Sequence, residues 1–345
     1  MILIQNIYYM LSYAFQVLNE QGYKNIATEQ FNNTGELMAS ILEKGIAIQL
    51  KRGLGKEYIL QTEALSSLRG KIDIVESIKT QSMLRKQLIC TYDEFSVNSI
   101  MNRIIKSTVE LLLRSNISKQ RKKNLRKLMV YFSEVDFIDL YTVNWNVQYN
   151  RNNQTYRMLI SICYLVVKGL LQTQSNGHTK LMDFLDEQRM CRLYEKFILE
   201  YYRREFKNQI TANASQIPWQ LDDEENSMLP VMQSDIMLQS GEKVLIIDAK
   251  YYEHSTQVQF DRHTLHSGNL YQIFTYVKNK EYELSEKDHT VSGMLLYAKT
   301  DEEIYPNNVY QMSGNQITVR TLDLNLPFDE IAGQLNIIAK THFDL

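Results

Sequence analysis

The chain has 345 residues, of which 44% are hydrophobic and 23% are charged, a composition typical of a globular protein rather than a disordered one. The length allows two or three domains. Every segment of about 20 residues contains a charged side chain, so we expect no membrane span. The three cysteines are widely spaced and odd in number, which favours a reducing cytoplasm over a disulfide framework.

The net charge of −2 is divided unevenly along the chain. Residues 1–150 carry 19 Lys/Arg and 14 Asp/Glu, whereas residues 151–345 carry 19 and 26. The basic excess centres on SKQRKKNLRK, residues 118–127. This run is interpreted either as a solvated helix face or as a patch that contacts phosphates or a partner.

Helical periodicity in the first part of the chain predicts helices over residues 4–19, 35–50, 96–115 and 118–132. Ser96 or Asn98 is the expected N-cap of the third helix. Glycines separate short apolar runs over residues 52–74, which predicts strands or a ribbon there.

A polar segment at residues 149–155 marks a domain boundary, and we predict an α+β domain over residues 1–150 and a second domain over residues 151–345. In the second domain the pattern predicts helices over residues 156–173, 183–206, 268–280 and 328–343. It predicts strands over residues 228–238, 244–252 and 291–300 and within 307–322, and a polar loop at 253–267.

Two of these predicted strands carry charged residues that converge. Asp248 and Lys250 lie two positions apart and therefore on the same face, and a tight turn brings Asp235 of the preceding strand close to them. Two adjacent carboxylates repel each other, and Mg²⁺, which prefers oxygen ligands, would relieve that repulsion. The ion would activate a water molecule and the lysine would position it against a phosphodiester. The alternative is a structural salt-bridge network at a sheet edge.

An aspartate followed by Asp248-Ala249-Lys250 on a hairpin resembles the PD-(D/E)xK nuclease superfamily, although Ser234 stands where many members have proline. The resemblance implies a mixed sheet flanked by helices. It also implies catalytic roles for Asp235, Asp248 and Lys250, with the two aspartates as metal ligands.

Two further features follow from the same resemblance, one on the helix before the hairpin and one on the helix after it. Glu195, on the preceding helix, is either a third metal ligand or an ordinary surface glutamate. Gln272 and Tyr276 match a Gln-x-x-x-Tyr signature; Gln272 is assigned to the site, and Tyr276 is an accessory residue or a packing residue. The histidines His254, His263 and His266 are interpreted as surface or DNA-contacting residues rather than metal ligands.

The whole sequence resembles one family in particular, the McrC proteins. The stretches that carry the resemblance are NIYYMLSYAF, RGLGKEYILQTEALSSLRGKI, CTYDEFSVNSIMNRIIKSTVELLL, YEKFI, SDIML, IIDAKYY, LYQIFTYV and GMLLYAKT. The resemblance implies the endonuclease subunit of a restriction system. It would cut double-stranded DNA with Mg²⁺ and stimulate a hexameric McrB-like AAA+ GTPase, which itself binds the GTP and selects either modified-cytosine DNA or an unmethylated site guarded by a methyltransferase.

The residues expected to contact that ring are Arg52, Gly53, Arg69 and Gly70, which are alternatively turn residues of a small β-subdomain. Two other functions remain open from the sequence. One is a catalytically silent activator of the GTPase ring, and the other is a free-standing DNA repair nuclease.

Overall fold

The computed structural model describes residues 3–15, 18, 23, 26, 29, 31, 33–149, 153, 155–175, 187–223, 228–252, 257–259, 262–299 and 305–345. Within them the α-helices are α1 (Ile4–Ala14), α2 (Thr34–Arg52), α3 (Ile74–Lys79), α4 (Ile100–Arg114), α5 (Lys119–Met129), α6 (Tyr156–Ser175), α7 (Glu187–Glu205), α8 (Ser267–Glu283) and α9 (Phe328–Phe343). None of these helices is long and apolar enough to cross a membrane.

The strands in the same part of the chain are β1 (Glu57–Leu65), β2 (Lys71–Asp73), β3 (Leu88–Ser96), β4 (Thr211–Asn213), β5 (Gln216–Ile217), β6 (Met232–Gln233), β7 (Ile236–Ser240), β8 (Lys243–Lys250), β9 (Gln257–Gln259), β10 (Arg262–Thr264), β11 (Thr290–Ala298), β12 (Asn308–Met312) and β13 (Asn315–Leu322).

The chain forms two compact units. The first, the sheet unit, comprises residues 1–31 and 185–345; the second, the helical unit, comprises residues 32–184. This division differs from the predicted boundary at residue 150. Helix α1 packs on α7 and so belongs to the sheet unit, whereas α6 packs on α4 and α2 and so belongs to the helical unit.

The sheet unit is built on a six-stranded mixed sheet with the order β12-β13-β11-β8-β7-β4. The central strand β8 pairs parallel with β11 and antiparallel with β7. Helix α8 packs on β11, β8 and β13, and helix α7 packs on β4, β7 and β8. A mixed sheet flanked by helices is therefore confirmed for this unit.

The core between the sheet and α8 is apolar and closely packed. It includes Ile246 of β8, Ile273 and Val277 of α8, and Leu295 of β11, each fully buried. Gly293 lies at the closest approach, because a Cβ there would stand 2.8 Å from Ile273 and 2.9 Å from Val277. This packing fixes α8 against the strands that carry the predicted charged residues.

The helical unit combines α2, α4, α5 and α6 with the three-stranded antiparallel sheet β1-β3-β2. A buried polar network joins its parts: the Tyr156 hydroxyl donates to Asn102 Oδ1 at 2.7 Å and accepts from the Gly55 N–H at 2.7 Å. Asn102 in turn donates to the carbonyls of Gly55 and Val97. Each buried polar group in this network has a partner, which stabilises the start of β1 on α4 and α6.

The structure differs from several local predictions. Strand β3 and helix α3 were not predicted, and the N-cap of α4 is Ser99, whose side chain accepts from the Asn102 N–H, rather than Ser96 or Asn98. The Ser96 hydroxyl instead accepts from the Asn98 N–H, and the Asn98 amide pairs with Asp136. The predicted strand over residues 228–238 is interrupted, because β6 pairs with β5 and β7 pairs with β8.

The polar segment at residues 253–267 also differs from the prediction of a loop. Its described part contains the short antiparallel strands β9 and β10. Residues 253–256, 260 and 261, and with them His254, lie outside the described residues, as do residues 150–152 and 154 of the predicted boundary segment.

Candidate active site

The end of the buried strand β8 carries a close ion pair. The Lys250 Nζ lies 2.7 Å from Asp248 Oδ1, and the two side chains are 12% and 1% exposed. The second carboxylate oxygen, Asp248 Oδ2, is buried and has no hydrogen-bond partner within the described residues. An unpartnered buried carboxylate oxygen is unfavourable unless a cation or a donor meets it.

Asp235 joins this pair from the neighbouring strand. Ile236 of β7 lies opposite Ile247 of β8, so the antiparallel register places Asp235 beside Asp248. One oxygen of Asp235 accepts from the Ala249 N–H at 3.0 Å, which fixes the carboxylate at the strand end. The sequence prediction that these three charged residues converge is thus met in geometry, while their catalytic roles stay predictions.

Ser234, at the position where the sequence resemblance led us to expect proline, helps to shape the turn into Asp235. Its N–H donates to the Ser215 carbonyl at 3.0 Å, and its hydroxyl donates to the same oxygen at 3.1 Å. Proline could make neither bond. Hydrogen bonds, rather than a rigid ring, therefore fix the backbone at this position.

The electrostatics of the ion pair follow from burial and charge. Burial raises the pKa of the Asp248 carboxyl, Lys250 lowers it, and the neighbouring Asp235 raises it again, with a net rise. Burial lowers the pKa of Lys250, but the attraction and hydrogen bond of Asp248 outweigh it and the net direction is upward. We therefore treat Lys250 as charged and Asp248 as a carboxyl that would gain from a further positive charge.

Glu195 approaches the same strand end from α7. Burial and the nearby Asp235 raise the pKa of the Glu195 carboxyl. Its Oε1 accepts from the Cys191 thiol one turn earlier at 3.0 Å, and the Cys191 sulfur lies 3.8 Å from the Ala249 carbonyl oxygen. Cys191 was not predicted as a site residue; its helical spacing of four from Glu195 is the signal that could have found it.

A cleft opens on this side of the sheet unit. Its volume is about 390 Å³, and its lining residues are Arg192, Glu195, Lys196, Leu199, Ala214, Gln233, Ser234 and Asp235. The cleft thus exposes Glu195 and Asp235 to solvent, whereas Asp248 is buried. Basic and acidic side chains share its wall, as a site for an anionic substrate and a cation would require.

Helix α8 carries the predicted Gln-x-x-x-Tyr pair, and Tyr276 of that pair also belongs to the hydrophobic core. Gln272 donates to the Tyr276 hydroxyl at 2.9 Å, within the predicted Gln-x-x-x-Tyr pair. Asn269, on the same helix face, donates to the Tyr297 hydroxyl at 2.9 Å. Tyr297 pairs in register with Lys250, and Asp248 and Lys250 both act on its pKa, which burial raises to about 12. Sequence reasoning missed Asn269 and Tyr297, although the spacing of Asn269 from Gln272 is helical.

The described residues contain no group of three or more His, Cys, Asp and Glu side chains arranged to hold a metal ion. The predicted set of Asp235, Asp248 and Glu195 therefore does not form a complete cage in this arrangement. Mg²⁺ commonly binds through one or two carboxylates and keeps several waters. The two aspartates and the unpartnered Asp248 Oδ2 fit that mode of binding.

The residues predicted to contact a partner ring lie in the helical unit. Arg52 ends α2, and Gly53 is its C-cap with φ 88°. Arg69 pairs with Glu94 at 2.8 Å and stacks 4.0 Å over the Tyr92 ring. Gly70 has φ 67°, and a Cβ there would stand 2.6 Å from Tyr92 Cβ. The two glycines are thus required by local geometry, and the partner role stays a prediction.

The described histidines of the polar segment, His263 and His266, do not belong to a group of side chains that could hold a metal ion. His263 is exposed in β10, and His266 precedes α8 with its ring 5.4 Å from that of Tyr252.

Comparisons with known proteins place the chain in a family. The family model described as McrBC 5-methylcytosine restriction system component matches residues 4–298. The type IV methyl-directed restriction enzyme EcoKMcrBC of Escherichia coli (strain K12) is 29% identical over 327 residues, which cover 93% of this chain and 92% of that protein.

Two solved structures from Thermococcus gammatolerans are similar to this chain. One is a refined half-complex from a tetradecameric assembly of McrB AAA+ hexamers with bound McrC, at 18% identity and a TM-score of 0.46, covering 95% of this chain and 76% of that one. The other is the McrBC complex, at 21% identity and a TM-score of 0.40, covering 59% and 58%. The resemblance read from the sequence is confirmed by the family match: the chain belongs to the McrBC family of 5-methylcytosine restriction system components.

Proposed function

We propose that this chain is the DNA-cutting subunit of its restriction system and hydrolyses phosphodiester bonds of double-stranded DNA with Mg²⁺. The observation that carries the proposal is the buried Asp248–Lys250 pair beside Asp235, with one Asp248 oxygen left without a partner. A buried carboxylate oxygen without a donor is energetically costly, and a bound cation at this position would offset that cost.

Asp235 and Asp248 would hold the cation, and Glu195 of α7, which does not form a three-residue cage with them in this arrangement, is the proposed third ligand. When bound, Mg²⁺ supplies Lewis-acid stabilisation of the phosphate and a water of lowered pKa. Lys250 keeps its charge because Asp248 holds it, so its ammonium donates to the attacking water and to the phosphate as negative charge develops. The bond from the Ala249 N–H keeps Asp235 in place during turnover.

The proposal includes a partner. Membership of the McrBC family supports an McrB-like AAA+ GTPase that binds GTP itself and delivers the DNA. The sheet unit provides the nuclease site, and the helical unit would contact the ring through Arg52, Gly53, Arg69 and Gly70.

The test is plasmid cleavage by the purified protein with Mg²⁺, with and without the ring-forming partner and GTP. Lys250→Ala is expected to lower cleavage by about a hundredfold or more, since removal of one donor to the developing charge commonly costs that much. Lys243→Ala is the matched control. Lys243 is the first residue of the same strand, at the end opposite Lys250, and its ammonium pairs with the exposed Asp344.

Each outcome has a meaning. Cleavage that needs partner and GTP and fails only in Lys250→Ala supports a delivered nuclease. Undiminished cleavage in Lys250→Ala contradicts the proposed site. Cleavage by the wild type without any partner favours a free-standing nuclease. Stimulation of GTP hydrolysis without cleavage under any condition favours a silent activator.

A further inference from the structure

Helix α5 of the helical unit has two sides of different character. Its inner side carries Leu125, which is fully buried, and Arg121, whose side chain is 17% exposed. Arg121 pairs with Glu43 of α2 at 2.8 Å and with Glu36 at 3.5 Å. The charge on the inner side is therefore neutralised within the unit.

Further bonds fix the orientation of α5. The N–H and hydroxyl of its N-cap, Ser118, donate to the Glu36 carboxylate at 2.8 and 2.7 Å. The Asn124 amide donates to Glu43 at 2.9 Å. Because α5 is held to α2 along one side, its opposite side cannot rotate inward.

That opposite side is basic throughout. We name it the α5 basic stripe; its members are Lys119, Lys122, Lys123, Arg126 and Lys127. At 3.6 residues per turn these five positions fall within an arc of about 140°, and they extend over about 12 Å of helix axis. All are exposed except Lys122, which is half-buried.

No ion pair joins the stripe to an acidic side chain in the part of the chain that the structure describes, and α5 itself contains no Asp or Glu. Lys119 and Lys123, and likewise Lys123 and Lys127, are spaced four apart, an arrangement in which like charges repel. Lys119 also lies at the positive end of the helix dipole. The five charges therefore make no stabilising ion pair within the described residues, and an external anion would relieve the repulsion among them.

The chemistry of the stripe favours a phosphate polymer over an acidic protein. Protein interfaces are enriched in aromatic residues and depleted in lysine, and the stripe has no aromatic or apolar member. Duplex DNA offers one negative charge per roughly 1.7 Å of axis, which matches several cations along a short helix. Flexible lysines contact phosphates without reading bases.

We infer that the α5 basic stripe binds the phosphate backbone of duplex DNA and so supplies sequence-independent affinity in a chain whose residues 151–345 carry an acidic excess. The choice of duplex DNA rests on the proposed function. The contact is distinct from the cleavage site, because α5 lies in the helical unit and Asp248 lies in the sheet unit.

The test is direct binding of a short fluorescent duplex to the full-length protein in EDTA, followed by anisotropy between about 50 and 200 mM salt. The variant is Lys119→Gln/Lys123→Gln/Lys127→Gln, since glutamine and lysine have similar helix propensity. We expect Kd to rise about tenfold or more and the slope of log Kd against log salt to fall by roughly 2 to 3, near one unit for each lost phosphate contact.

The matched control is Lys207→Gln/Lys287→Gln/Lys340→Gln, which removes the same charge from exposed positions of the sheet unit. It is expected to change Kd by about twofold or less. Equal Kd and slope in wild type and stripe variant would overturn the inference, as would a wild type that does not bind duplex at low salt. A stripe variant that binds DNA normally but stimulates GTP hydrolysis poorly would assign the stripe to the partner ring instead.

This experiment is separate from the test of cleavage. EDTA removes divalent cations, so the binding signal does not depend on the nuclease site. Failure of the stripe would leave the plasmid assay unaffected, and failure of Lys250→Ala to lower cleavage would leave the binding result standing.

Discussion

The Cys191 thiol contacts both the Glu195 carboxylate and the backbone of the strand that carries Asp248. Its hydrogen bond lowers the pKa of Glu195 against the effects of burial and Asp235. If Glu195 is a metal ligand, Cys191 is a positioning residue. Cys191→Ala is then expected to raise the Mg²⁺ concentration for half-maximal cleavage by roughly tenfold, as loss of a partner behind a ligand commonly does.

Cys191→Ser is the control, because a hydroxyl can still donate to Glu195. It should keep a Mg²⁺ dependence near that of the wild type. A Mg²⁺ dependence unchanged in Cys191→Ala would instead mark Glu195 as an ordinary helix glutamate, which is the other interpretation that the sequence left open.

The environment of His342, near the end of α9, predicts that folding stability depends on pH. Burial and then the nearby Lys243 lower the pKa of its ring, and its Nε2 is buried without a hydrogen-bond partner within the described residues. The unfolded chain therefore binds a proton more readily than the folded one, and stability is lost as pH falls below about 6.5. His342→Gln should flatten the decline of Tm between about pH 7 and 5; identical declines in both proteins would contradict this.

At this scale the sequence was informative where side-chain direction is set by local geometry. Asp248 and Lys250 could be placed on one face because strand residues alternate. The roles of three other residues could not be predicted, because their contacts depend on how α7 and α8 pack on the sheet; these residues are Cys191, Asn269 and Tyr297. The identity of a partner across two elements is not encoded in either element alone.

Among the elements, the sheet β1-β3-β2 depends on one glycine. Gly70 combines φ 67° with a position where a Cβ would lie 2.6 Å from Tyr92 Cβ and 2.9 Å from Tyr92 Cα. Gly70→Ala is expected to cost about 1–3 kcal/mol for the backbone conformation and a further 1–3 kcal/mol for the clash. Denaturant unfolding of the full chain would measure the loss.

Gly53 provides the matched comparison. It also has positive φ, at 88°, but a Cβ there meets nothing within 4 Å. Gly53→Ala should therefore cost only the backbone strain of about 1–3 kcal/mol. Equal losses at both positions would show that the space around Gly70 is not limiting.

Elements with a strong period were predicted well, and short irregular ones were not. Helix α9 was predicted with its observed bounds, since its apolar spacing and the preceding Pro327 both mark a helix. Strand β3 was missed, although its Tyr92 and Phe95 favour strands, because apolar and polar residue types do not alternate cleanly along its sequence LICTYDEFS. The break between β6 and β7 depends on a change of pairing partner, which local pattern does not reveal.

In the whole molecule, helix α1 belongs to the sheet unit, the rest of which begins only at residue 185 of the sequence. The Asn6 amide donates to the carbonyls of Leu324 and Leu326, both at 2.8 Å. The Tyr9 ring stacks on Phe328 at 4.4 Å, and the Tyr13 hydroxyl donates to Glu205 at 2.9 Å. These contacts join residues more than 190 positions apart. The predicted boundary divided the chain by sequence order and therefore assigned α1 to the other unit.

The sheet unit should therefore not fold well without residues 1–31. Burial of large apolar side chains of α1, such as Met10 and Leu11, contributes about 1.5–3 kcal/mol each. Loss of the two Asn6 bonds costs about 0.5–1.5 kcal/mol each, because the Leu324 and Leu326 carbonyls then bond to water instead. The sum is comparable with the lower end of domain stability, about 5 kcal/mol. A chain of residues 185–345 is expected to melt without cooperativity in circular dichroism, and residues 1–31 joined to it by a flexible linker should restore the transition.

Residues 151–345 are the decisive comparison, because that fragment follows the boundary expected from the polar segment. It adds residues 151–184, which belong to the helical unit, and still lacks α1. If contacts rather than chain order define the unit, this longer fragment stays unstable while the shorter one linked to residues 1–31 folds. A cooperative transition in residues 151–345 alone would mean that α1 is dispensable and that the boundary near residue 150 describes the folding unit better than the contacts do.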